Sequence, residues 1–409
     1  MFRYMPGLFV SLFATAIFAA DPSPLSQAEC LQRVLTRSPT LEALRLQAAA
    51  ATERRNEMSA RPDPQLSLSG ENISVRVAEE YDRPEVETTI SLLQNLEPFG
   101  QRHARIKAGI AGEEWAAAEE RLRYQELREE VMYAFADALT AQERISLTTE
   151  AVQLAADVKD IAGKRLAGGK AAPQELDRAE TGYALAVAAL NRARRELTTA
   201  RETLAALWQG EPAEFGELIT PEMPSTISST DLDLAQSVVK SPGHALLAAE
   251  SAVRQAEALV ARSEARPPVE LELGLRKSSS ERAWFAGVSI GLPFSGKGHA
   301  AARAATLEAE AALFSQRGAL RRLLTEARAR RESLLAAEAD IAALRDTVLP
   351  AAERARAAAE RSYREGKTGQ FEVLEAARTL LEAQERLLTT ENNWRKNHAS
   401  LDRLSPPAN

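Results

Sequence analysis

The chain has 409 residues, a formal net charge of -7, 45% apolar and 27% charged side chains, and only 5% aromatics. So few aromatics among abundant Ala, Glu, Arg and Leu favour long helices packed through small side chains over a large globular core. The negative balance, with no basic stripe carrying interleaved aromatics, argues against a nucleic-acid partner, and a single cysteine, Cys30, excludes an intrachain disulfide or a cysteine metal cluster.

At the amino terminus Arg3 precedes the apolar run Leu8 to Ala20, and Asp21, Pro22 and Pro24 follow. This reads as a secretory signal over residues 1–20, too short to span a bilayer as a helix; cleavage is expected after Ala20, where Phe18 at the minus-three position is unfavourable, while Ala14-Thr15-Ala16 fits the small-residue rule better. Ser26 and Glu29 have the spacing of a capping box and open a first helix. Ser38-Pro39 marks a step into a second helix, which the prolines at 62 and 64 end. Leu66 and Leu68, then Ile73, Val75 and Val77, alternate as in a strand, with a change of phase near Gly70. A polar loop from Glu79 to Pro84 precedes a second alternating run at Val86, Thr88, Ile90 and Leu92.

After Glu97-Pro98-Phe99-Gly100-Gln101-Arg102-His103 the spacing predicts a proline-free helix to about Leu166; roughly 60 residues make a rod near 90 Å. Gly168-Gly169-Lys170 breaks it, and a return helix begins with Pro173 in its first turn and runs to about Trp208. Residues 210–230 hold Gly210, Pro212, Gly216, Pro221 and Pro224 and read as a linker.

The second half repeats this order. Ser241-Pro242 answers Ser38-Pro39, and Arg266-Pro267-Pro268 answers the first proline run. Val269 to Leu275 and Trp284 to Leu292 alternate in two further strands. Leu292-Pro293-Phe294-Ser295-Gly296-Lys297-Gly298-His299 answers the junction at 97–103. A long helix follows to about Arg364, with Pro350 expected to kink it or shift its register. The turn Tyr363-Arg364-Glu365-Gly366-Lys367-Thr368-Gly369 then leads into a return helix to about Leu401. Anchors recurring in one order at offsets of about 195 to 205 residues identify a duplication, with repeats over 25–209 and 231–404 and a tail at 405–409.

Each half supplies two strands of bilayer-crossing length. Four strands cannot close a barrel, and open edges are not tolerated in lipid, so several chains must share one; three would give twelve strands. With this organisation the chain resembles the TolC-like outer-membrane efflux factors over nearly all of residues 25–404. The turn from Gly169 to Pro173 and the junction Pro98 to Ile106 are similar to the branch serving heavy-metal cation pumps. The resemblance implies a mainly helical fold with a membrane β-barrel part: a trimeric twelve-stranded barrel in outer-membrane lipid, continuing into a periplasmic α-helical barrel of coiled coils. It implies a homotrimer that serves as passive conduit for metal cations or drugs and docks a periplasmic adaptor and an inner-membrane RND-type pump.

In that family the closed periplasmic end is held near the helix turns. Glu372 and Glu375 match its two acidic residues three apart, and on a helix such a pair shares a face. In a trimer they would ring the mouth with carboxylates that favour cations and repel one another less as it widens. Glu175 and Asp177 are the nearest candidates in the first half, at a spacing of two. Gly169, Lys170, Gly366 and Lys367 are the expected tips for the adaptor. Acids in a first helical turn are equally what the helix dipole favours, and glycine there supplies a left-handed turn.

Gly291 to Lys297 approaches phosphate-loop spacing, but Gly298 stands where the hydroxyl is needed, which argues against nucleotide binding. His103 and His299 take matching places and read as local hydrogen-bonding or interface residues; His244 and His398 stand alone. No convergent acid–base or nucleophile set is visible, so neither an enzyme nor a cofactor is expected. The alternative is a periplasmic coiled-coil adaptor or structural spacer without a barrel, against which the alternating strands of both halves argue.

Overall fold

The computed structural model describes residues 23–73, 86–222, 231–292 and 294–404. The signal segment, Val75, Val77, the loop at 79–84 and the tail fall outside the described residues. The chain divides into two compact units. One comprises Met1–Arg37, Ala134–Pro224 and Leu349–Thr389, the other Ser38–Tyr133, Ser225–Val348 and Thr390–Asn409.

The second unit holds the sheet. Strands β1 (Gln65–Glu71), β2 (Glu87–Leu96), β3 (Val269–Lys277) and β4 (Arg282–Ile290) lie in the order β1-β2-β3-β4. All neighbours are antiparallel, and the hairpin of each repeat is joined to the other through β2 and β3, from Thr88↔Lys277 to Leu96↔Val269. Near the change of phase expected at Gly70, β1 ends at Glu71 and Asn72 takes φ 62°, a left-handed conformation that Asn tolerates; the alternation beyond residue 73 lies outside the described residues. In the β3–β4 turn, Ser278 donates its amide to the Glu281 carbonyl at 2.9 Å, and its hydroxyl accepts from the Glu281 amide at 3.2 Å.

Helices α2 (Pro39–Ser59) and α6 (Pro242–Glu264) of this unit each start with proline after a serine. Ser241 Oγ accepts from the His244 amide at 3.3 Å, whereas Ser38 makes no such bond. Helix α3 (Gln101–Ala167) contributes its first half to this unit and its second half to the other. Helix α7 (Lys297–Ala343) packs along α6 and the short α5 (Asp231–Val239). The register shift expected at Pro350 is a π-helical turn, Leu344–Val348, just before α8 (Leu349–Arg364). Proline lacks the amide of a regular helix, and its ring crowds the carbonyl of residue 346, so the wider turn relieves the clash.

The first unit is built from α1 (Gln27–Arg37), the second half of α3, α4 (Pro173–Ala206), α8 and the first half of α9 (Gln370–Arg403). The capping box at the start of α1 is closed: Glu29 accepts from the Ser26 amide at 3.0 Å, and Ser26 Oγ accepts from the Glu29 amide at 3.2 Å. That bonding holds the Glu29 carboxyl below its ordinary pKa. Within this unit Arg144 of α3 ties two helices at once, bonding Glu385 of α9 bidentately and Glu196 of α4 at 3.2 Å.

The described part of the 210–230 segment carries packing of its own. Trp208 and Phe215 are buried and meet edge to face at 5.7 Å. Arg201 stacks on Phe215 and donates to the carbonyls of Pro212, Phe215 and Gly216. Leu218 bridges in parallel to Leu25, and both its backbone groups bond the Gln142 amide, at 2.9 and 3.1 Å.

Candidate functional site

The two helix-breaking turns are built alike. In the first, Gly169 takes φ 65° and donates to Leu166 O at 2.9 Å, while Lys170 donates to Arg165 O at 2.8 Å. In the second, Gly366 takes φ 73° and donates to Tyr363 O at 3.0 Å, while Lys367 donates to Ser362 O at 2.8 Å. Every donor and acceptor recurs at the same offset of 197 (366 − 169). The pattern is a Schellman-type helix end, which satisfies the last free carbonyls. A Cβ on either glycine would meet no atom within 4 Å, so the left-handed backbone and not crowding calls for glycine. Gly169, Lys170, Gly366 and Lys367 are all exposed.

The same offset aligns the acidic candidates. Glu175 pairs with Glu372, Arg178 with Glu375, and Asp177 with Leu374. Glu372 and Glu375 are exposed on the first turns of α9, either side of the buried Val373. Glu375 also acts on Arg378, whose guanidinium is raised first by its bond to Glu382 and further by Glu375. Asp177 is exposed, while Glu175 is half-buried, and its Oε2 has no hydrogen-bond partner among the described residues. The second turn therefore presents two carboxylates to solvent. The first presents a basic residue at the equivalent of Glu375.

Behind the turns lies a residue that sequence reasoning passed over. Tyr363, in the last turn of α8, is 1% exposed and packs with Val158 and Ala162 of α3, Ala179 of α4 and Val373 of α9. Small alanines let four helices reach one ring. Arg165 lies with its guanidinium 4.7 Å from that ring and donates to the Tyr363 carbonyl at 3.3 Å, so the first turn is tied to the second. Burial pushes the Tyr363 hydroxyl above its ordinary pKa; Arg165 opposes that and Glu175 adds to it. Arg165 Nε, Glu175 Oε2, Tyr363 Oη, Thr368 Oγ1 and Gln370 Nε2 all lack a hydrogen-bond partner among the described residues. Buried polar groups without partners weaken the packing that encloses them. The available signal was the repeat itself: at the offset of 197, Tyr363 stands where the first half has Leu166.

The sheet has two chemically distinct faces. The register puts Leu66, Leu68, Ile90, Leu92, Leu271, Leu273, Leu275, Trp284 and Val288 on one face and Ser67, Ser69, Ser91, Asn95, Glu270, Glu272 and Ser289 on the other. The apolar face is the uncovered one, with Leu66, Leu68 and Trp284 at 75%, 71% and 84% exposure. On the polar face Ser91 and Thr89 are buried, and Arg276 pairs with Glu87 at 3.7 Å. This inverts the arrangement of a water-facing sheet. The outer edges of β1 and β4 have no strand neighbour among the described residues. No described helix is long and apolar enough to cross a membrane. Among the described residues no three His, Cys, Asp or Glu side chains are grouped to hold a metal ion.

An uncovered apolar sheet face opposite a polar one, together with two helical hairpins of the same build, is the pattern of a channel-forming protein of the outer-membrane type. The model of the outer membrane efflux protein family matches residues 30–210 and 239–405, and the chain belongs to that family. It is 31% identical over 316 residues to the cobalt-zinc-cadmium resistance protein CzcC of Cupriavidus metallidurans, covering 76% of this chain and 74% of that one. It is 27% identical over 293 residues to the nickel-cobalt-cadmium resistance protein NccC of Alcaligenes xylosoxydans xylosoxydans, covering 70% of this chain and 65% of that one. The fold matches the outer-membrane channel OprN with a TM-score of 0.81 at 20% identity, over 93% of this chain and 90% of that one. The protein is an outer-membrane efflux channel.

Proposed function

We propose that three copies of the chain close their sheets into one twelve-stranded barrel, forming the passive outer-membrane conduit through which a periplasmic adaptor and an inner-membrane RND-type pump expel divalent metal cations. The observation that carries this reading is the two-faced sheet whose outer edges have no strand neighbour among the described residues. In lipid, such edges are satisfied only by closure, and an exposed apolar face is satisfied by acyl chains. The metal resistance named for two relatives supports the cargo. The chain holds no energy source of its own in this scheme, and selection of cargo rests mainly with the pump.

The exposed turns at Gly169-Lys170 and Gly366-Lys367 are the adaptor's docking tips. Glu372 and Glu375 line the periplasmic mouth, with Glu175 behind them and Asp177 at its rim. Widening that mouth separates the hairpins, which breaks the Arg165–Tyr363 tie. Carboxylates from three copies repel one another less as they part, so the acidic ring favours the open state while attracting cations.

Reconstitution in planar bilayers tests the mouth. Replacing both Glu372 and Glu375 by Gln lowers the preference for cations over anions; an unchanged reversal potential removes them from the conducting path. For docking, Gly366→Trp abolishes metal resistance in cells while the heat-modifiable oligomer persists in the outer membrane. Full resistance in that variant rules out the tips.

A further inference from the structure

On the polar face of the sheet, which also carries the half-buried Leu93, one aromatic ring is laid over a glycine. Gly274 of β3 is paired with Phe285 of β4 on one side and with Ser91 of β2 on the other. A Cβ built on Gly274 would stand 2.4 and 2.5 Å from two Phe285 ring carbons and 2.9 Å from Ser91 Cβ. The ring therefore fills the space where a side chain of residue 274 would project. Gly287, on the same face, has no atom within 4 Å of its Cβ position, so the covering is particular to Gly274. Phenyl groups over strand glycines stabilise sheets by restoring the missing packing.

We infer that the Gly274–Phe285 pair sets the bore of the channel at this level: the glycine lets a large ring lie within the wall, and any side chain there lifts the ring into the passage. This rests on the polar face being the channel wall, as proposed above. Carbon atoms meet comfortably at about 3.5–4.0 Å, so even a methyl group displaces the ring by about 1 Å. The backbone of β3 lies on one side of the ring, so the displacement is directed away from the sheet, toward the lumen in this scheme. The displacement is repeated in every copy around the barrel.

Ser289 reports on the passage. It is exposed on the polar face of β4 and lies closer than Phe285 to the helical end of the strand, farther from the β3–β4 turn. A Ser289→Cys protein is labelled on intact cells with a small membrane-impermeant maleimide and with a polymer-tagged one. The native Cys30 is silent, being fully buried with its thiol pushed up to about 12. Adding Gly274→Leu slows the polymer-tagged reagent several-fold and leaves the small one unchanged. Adding Phe285→Ala speeds the large reagent, and the combination Gly274→Leu with Phe285→Ala restores the original rate because no ring remains to be lifted. Equal rates for the large reagent in all four proteins overturn the inference. Labelling of the thiol introduced by Ser289→Cys in detergent but never from outside cells overturns the channel-wall reading itself. Heat-modifiable mobility confirms assembly of each variant; should Gly274→Leu not assemble, Gly274→Ala and Phe285→Ala carry the same comparison.

Discussion

Tyr363 concentrates the energetics of the hairpin ends in one side chain. Its ring is enclosed by four helices, whereas its hydroxyl has no hydrogen-bond partner among the described residues. Tyr363→Phe is therefore expected to keep or slightly raise stability, while Tyr363→Ala leaves a cavity and costs about 3–5 kcal/mol. The thermal midpoint of the detergent-solubilised protein distinguishes them. The hydroxyl also predicts a pH dependence. In the unfolded chain it titrates near its ordinary value of 10.0, and burial raises it in the folded state. Above about pH 10 the folded protein thus holds the extra proton, so this contribution is fully present below that value and is lost as pH rises from it through the raised folded-state value. The alkaline decline attributable to this residue disappears in Tyr363→Phe; an identical alkaline profile in both proteins contradicts the assignment.

At the scale of elements, the π-helical turn makes the phase of α8 a built quantity. Leu344–Val348 absorbs one residue more than a regular turn before Pro350, so the face that α8 presents, Ala352 and Tyr363 included, is set by that insertion. Deleting the exposed Thr347 together with Pro350→Ala is expected to convert the bulge to regular helix without turning Tyr363 away, and the protein assembles. Deleting the equally exposed Arg328 from regular α7 rotates Leu334 by about 100° off its buried face and abolishes assembly. Heat-modifiable mobility reads both. If the two deletions behave alike, the bulge does not store the register. Pro350 announced this feature in the sequence. The form it took depends on the clash with residue 346 being relieved within the helix and not by ending it.

For the molecule as a whole, the sheet decides its place in the cell, because its apolar face has no cover among the described residues. Leu273→Arg puts a charge at mid-strand on that face, costs about 2–4 kcal/mol per copy and keeps the chain out of the outer membrane. Glu272→Gln, one residue away on the polar face, inserts normally; equal insertion of the two variants would show that the faces are wrongly assigned. The sequence alone determined what depends on residues a few positions apart. The alternation of Leu66, Leu68, Ile90 and Leu92 marks strands, Gly169 and Gly366 end helices through bonds spanning five residues, and Ser26 with Glu29 caps one. Each is a local consequence of residue type, and the duplication repeated them. Contacts made across long separations were decided only by the tertiary structure: the pairing of β2 with β3, the burial of Phe215 and Leu218 in a stretch whose glycines and prolines read as a linker, and the Arg165–Tyr363 tie across 198 residues. Glycine and proline report where a helix must stop. They carry no information about which ring another hairpin will bring against it, and that is settled only when the helices pack.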